Sequence, residues 1–79
     1  MTLSGSEWVE RFAERLGLDP PSAEESRVLL DLAGLAAHIS ERTAAPITCW
    51  LAAQAGMTAS KALNVAEALR DEISIDEKT

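Results

Sequence analysis

Scarcity defines this sequence. It has one cysteine, one histidine, one phenylalanine, two tryptophans and no tyrosine in 79 residues. A lone Cys49 excludes an internal disulfide, and one Cys with one His cannot close a structural zinc site. Seven cations stand against thirteen acids, for a formal charge of −6. That balance disfavours non-specific attraction to nucleic acid or anionic lipid. No long apolar run is present: Thr43 to Ser60 is free of charge, but Pro46, Thr48, Gln54, Gly56, Thr58 and Ser60 interrupt it. A spanning helix needs about 20 predominantly apolar residues. Met1 to Ser6 has neither the basic region nor the apolar core of a secretory signal, so a cytoplasmic location is expected.

What is present is ordinary for a globular chain, with 47% apolar residues, too many for disorder. The length suits one domain, which would bury about 60–65% of its unfolded surface. Without disulfide or metal, stability must come from apolar helix faces, packed on one another or on a further chain. A homo-oligomer is one way to supply it.

The periodicity predicts four helices. Trp8, Val9, Phe12, Ala13 and Leu16 recur at helical spacing over about 6–16. Ser4 and Glu7 have the spacing of a capping box, and Gly17 is placed to end the helix left-handed. After Asp19-Pro20-Pro21, Ser22 and Glu25 repeat the box and open a helix over about 23–42. Its broad apolar side (Val28, Leu29, Leu32, Leu35, Ala36, Ile39) marks it as the centre of the fold, and Arg27, Asp31, Gly34, His38, Glu41 and Arg42 form its polar stripe. Pro46 fits the first turn of a third helix, 46–55, with Ile47, Trp50 and Leu51 on one side and small residues on the other. Gly56 ends it, and Thr58 caps a fourth over 59–73 bearing Ala62, Val65, Ala66, Leu69 and Ile73. The polar tail, 74–79, is expected to fray. Only Ile73-Ser74-Ile75 alternates like a strand, and it is too short to matter. Short connections favour a compact all-α four-helix bundle. Its expected core is Trp8, Phe12, Leu32, Leu35, Ile39, Leu51, Val65 and Leu69.

Candidate chemistry is sparse. His38 is the one imidazole in the sequence but shares its stripe with no Ser or Cys nucleophile, so it reads as a solvated side chain. Cys49 reads as a small buried residue. No catalytic residue, metal site or cofactor is expected. The most suggestive constellation is the corner where His38 and Arg42 approach Pro46. There the amides of Ile47, Thr48 and Cys49 would open a helix beside a guanidinium, an arrangement able to hold a phosphate or carboxylate. The simpler reading has Arg42 compensating the end of its own helix. Leu51 to Leu69 also has helix-turn-helix spacing, yet Lys61 is the sole cation among its leading residues, against the basic footprint of a DNA reader. An acyl carrier protein is excluded, because no Asp-Ser pair exists to carry a phosphopantetheine arm.

Trp8, Leu16-Gly17-Leu18, the run Leu29-Leu30-Asp31-Leu32-Ala33, Ala37-His38, Arg42, Ala44-Ala45-Pro46-Ile47-Thr48, Leu51 and Ala55-Gly56 together carry a resemblance. The chain from about Trp8 to Leu69 resembles a small bacterial domain family of unknown function, found free-standing or fused behind molybdenum cofactor guanylyltransferase. Cys49 and Trp50 depart from the Thr and plainer hydrophobic residue that pattern would place there. The resemblance implies an accessory or docking module, with the guanylyltransferase as protein partner in molybdopterin guanine dinucleotide biosynthesis. The chain lacks the Gly-rich nucleotide loop of the transferase itself. The expectation is therefore a non-enzymatic protein-interaction domain contacting its partner or an anion through His38, Arg42, Pro46, Ile47 and Thr48. The alternatives are a small helix-turn-helix regulator of nucleic acid and a phosphate- or nucleotide-binding helper.

Overall fold

Local signals set the helix ends. A computed structural model describes residues 2–78, and those residues form α1 (Gly5–Leu16), α2 (Ala23–Ile39), α3 (Ala44–Gln54) and α4 (Ala59–Lys78), with no strand among them. Both capping boxes form. The Glu7 N–H donates to Ser4 Oγ at 3.1 Å while the Ser4 N–H donates to the Glu7 carboxylate at 3.0 Å. Ser22 and Glu25 repeat the exchange at 3.1 and 3.2 Å. Each pair satisfies amides that a helix start leaves without partners. Gly17 (φ 73°) and Gly56 (φ 71°) adopt the left-handed conformation. At each glycine the next two amides close the end: Gly17 to Glu14 and Leu18 to Ala13, then Gly56 to Ala53 and Met57 to Ala52. This is the Schellman arrangement that favours glycine.

Five boundaries differ from the sequence reading, the first being α1, which opens at Gly5 rather than 6. α2 stops at Ile39 rather than 42: the Ser40 N–H makes the last helical bond, to the Ala36 carbonyl at 3.1 Å, and the Ser40 hydroxyl donates to the same carbonyl at 2.8 Å. Such back-bonding competes with helix continuation, and Ser40 leaves helical geometry (φ −126°, ψ −101°). α3 opens at Ala44, ahead of Pro46, and ends at Gln54. α4 runs on through 74–78, where no glycine or proline interrupts it; Thr79 lies outside the described residues.

The packing centres on α2, which contacts both α3 and α4. α2 and α4 run in the same direction: their starts, Ser22 and Thr58, line one crevice, and His38 and Arg70 line a groove further along. Leu32 is the anchor, 1% exposed, with Ala62 of α4 also buried. The expected core is otherwise not covered. Leu35 is half-buried, Ile39 is marginally exposed, and Leu51, Val65 and Leu69 are exposed. On α1, Trp8 is 58% and Phe12 52% exposed, their rings stacked on each other at 5.8 Å. Helical periodicity identified these faces as apolar; among the described residues nothing covers them. The molecule spreads over 50 × 29 × 19 Å with a radius of gyration of 14.4 Å, against about 11.6 Å for a close-packed chain of this length.

Candidate functional site

The stripe on α2 does not reach the corner that the sequence suggested. With α2 ended at Ile39, Glu41 and Arg42 sit in the turn before α3, and their carbonyls accept the Ala44 and Ala45 amides at 2.9 and 3.2 Å. Those are the amides that begin α3, and Pro46 has none to offer. Ile47 and Thr48 lie fourth and fifth in the helix; the first four amides of a helix lack intrahelical partners, and the Ile47 amide makes no bond to the Thr43 carbonyl of the kind that closes the start of the other three helices. Of the amides expected beside Arg42, that of Ile47 is left without a backbone partner, while Thr48 and Cys49 lie deeper in the helix. Arg42, Pro46 and Ile47 are exposed and Thr48 is half-buried. Among the described residues, no hydrogen bond or ion pair involves the His38 or Arg42 side chain.

His38 joins a different group. It lines an open groove of about 530 Å³ between α2 and α4. α2 contributes Asp31, Gly34 and His38 along one line, beside Leu30, Leu35 and Ile39; α4 contributes Leu63, Glu67 and Arg70. Apolar side chains occur on each wall; α2 adds Asp31 and His38, and α4 adds Glu67 and Arg70. Arg70 leans along its own helix to Asp71 at 3.3 Å, with both side chains well solvated. Such an exposed pair contributes little to stability. The groove thus offers an apolar surface with polar margins, suited to binding a surface of mixed character.

Gly34 is the unexpected member. A methyl group at its Cα would meet nothing within 4 Å, so packing within the chain does not require glycine there. In a helix interior glycine is about 0.8–1 kcal/mol less favourable than alanine. The sequence placed Gly34 on the polar stripe with His38, and its mid-helix position was the available signal. Nothing in the sequence paired that stripe with Leu63, Glu67 and Arg70, because the pairing depends on α4 lying parallel to α2.

Elsewhere the chemistry is closed off. The crevice of about 160 Å³ between the starts of α2 and α4 has its amides occupied, Glu25 N–H by Ser22 and Lys61 N–H by Thr58 Oγ1 at 3.2 Å. Glu24 and Glu25 also line it, which repels an anion. Cys49 is half-buried on α3, outside both depressions. Among the described residues, no three His, Cys, Asp or Glu side chains come together as metal ligands, and no helix is long and apolar enough to cross a membrane.

These features define a small all-α domain with one shallow groove and several open apolar faces. The chain belongs to DUF6457, a domain of unknown function, whose family model matches residues 3–77. This agrees with the resemblance to a family of unknown function. No curated protein and no solved structure matches the chain.

Proposed function

We propose that the chain is a non-enzymatic protein-interaction module that docks on a larger protein through the α2–α4 groove. The observation that carries this reading is Gly34, a helix-interior glycine at the groove with open space above its Cα. Glycine at such a place lets a partner's backbone or side chain approach closely. His38 and Arg70 at the margin supply donors for orientation, and Leu30, Leu35 and Leu63 supply apolar contact. The sequence resemblance to domains fused to molybdenum cofactor guanylyltransferase makes that enzyme the proposed partner. In this reading the chain acts in the cytoplasm, where a free thiol such as Cys49 stays reduced.

The test is calorimetric titration of the full chain with the guanylyltransferase. Gly34→Leu keeps a good helix former at a site with room for it, so helicity should hold while affinity falls by about tenfold or more, equivalent to about 1.4 kcal/mol. Absence of binding at micromolar concentrations would remove the guanylyltransferase as partner. Unchanged affinity in both Gly34→Leu and His38→Ala would remove the groove as the docking site.

A further inference from the structure

The open faces outside the groove add up to a measurable surplus. The chain presents 6568 Å² of accessible surface. A compact protein of 8.5 kDa presents about 4,650 Å², and its extended chain about 12,300 Å². The chain by itself therefore hides about 47% of its extended surface, where about 60% is usual for a domain this small. The surplus of about 1,900 Å² is more than twice the ~800 Å² that a standard interface takes from each partner, and matches the share of a protomer in an obligate homodimer.

Two apolar faces contribute to it. α1 offers Trp8, Phe12 and Leu16, and α3 offers Ile47, Trp50 and Leu51, every one exposed. The helices are of similar length, 12 and 11 residues, so one can lie along the other. Between α1 and α2 stands Asp19-Pro20-Pro21, whose prolines fix φ and stiffen the connection. Charge chooses the pairing. α1 carries Glu7, Glu10 and Glu14 against Arg11 and Arg15, and α4 carries Glu67, Asp71 and Glu72 against Lys61 and Arg70, so both helices are net acidic in a chain at −6. Laying α1 on α4 would crowd acids. Thr43 to Ser60, which contains all of α3, carries no charge, so α3 accepts α1 without repulsion.

We propose that a second copy of this chain covers these faces by reciprocal exchange, α1 of each protomer lying on α3 of the other. The arrangement is isologous and closed, so it stops at a dimer. It uses surfaces separate from the α2–α4 groove and does not depend on the partner proposed there.

Sedimentation equilibrium of the full chain at micromolar concentrations tests it. The expected mass is twice 8.5 kDa. Phe12→Lys and Trp50→Glu, each at an exposed site of the protomer, should raise the dimer dissociation constant about thirtyfold or more with helicity retained. Leu30→Glu, on α2 and 72% exposed, should leave the dimer intact. Mixing Phe12→Lys with Trp50→Glu should restore it, since one contact then pairs lysine with glutamate and the other is unmodified. A monomer at all concentrations, or no rescue on mixing, overturns the exchange.

Discussion

Leu32→Ala probes the centre of the fold. Among the described residues, Leu32 is the one large side chain that is fully buried, 1% exposed. Leucine-to-alanine changes in cores cost about 2.7–5 kcal/mol, less where neighbours can relax into the space. The neighbours here can relax: Leu29, Leu35 and Ala36 on the same helix are only half-buried. The expected loss is therefore about 2–3 kcal/mol. A chain of this length holds about 4–12 kcal/mol in total, and its low burial places it towards the bottom of that range. The change should remove close to half of the stability. With a urea slope of about 1 kcal/mol/M for so small a domain, the midpoint should fall by about 2–3 M, followed by circular dichroism at 222 nm. The comparison is Leu51→Ala, at a position 56% exposed. At concentrations too low for self-association it should cost less than about 1 kcal/mol, because little apolar area is lost from the protomer. Equal losses at Leu32 and Leu51 in the monomer would refute the reasoning, since the α3 face would then be covered within the chain.

Gly34→Ala should raise stability by about 0.5–1 kcal/mol in the same assay, because the added methyl meets nothing and the unfolded chain loses freedom; a lower midpoint would mean that Gly34 is packed. Gly17→Ala places a Cβ on a residue at φ 73° and should destabilise by about 1–2 kcal/mol, seen as lost protection of the α1 amides against hydrogen exchange. The Glu7 carboxyl is held below the usual glutamate range, chiefly by the Ser4 backbone N–H and then by the Ser4 hydroxyl. Its depressed folded value means that the cap contributes above the unfolded value and is lost as pH falls through the folded one. Acidification should therefore loosen the first turn of α1, read from the Ser4 and Glu7 amide shifts, and Glu7→Gln should flatten that response.

The helix ends were legible because they are local. Ser4 with Glu7 and Ser22 with Glu25 need only three residues of spacing, and the stops at Gly17 and Gly56 need only a left-handed conformation that glycine adopts freely. The end of α2 was not legible, since Ser40 looks like any helix-tolerated serine until its hydroxyl turns back on Ala36. The same limit explains the core. Spacing assigns Trp8 with Phe12, and Leu51 with Ile47, to apolar faces, but an apolar face reports that something should cover it and not what does. Leu32 was placed correctly because it lies mid-face on the most apolar helix, where any packing of neighbours would reach it.

The site followed the same division. Asp31, Gly34 and His38 sit three and four residues apart, so one helix carries them on one line whatever the rest of the fold does. Arg42 was assigned to that line by extending the periodicity three residues past the true end of α2, and it left the line with the helix. Its place beside His38 is taken by Arg70, thirty-two positions along the chain and adjacent only because α3 reverses direction and α4 returns parallel to α2. Two parallel helices also set their dipoles side by side, which is mildly unfavourable. The capping residues offset this: Ser22, Glu25 and Thr58 hold the amides at the paired starts, and Glu24 and Glu25 place negative charge there. The polar residues at that end of the pair are thereby committed to stabilising the helices. At the groove, by contrast, no hydrogen bond or ion pair among the described residues engages the His38 side chain.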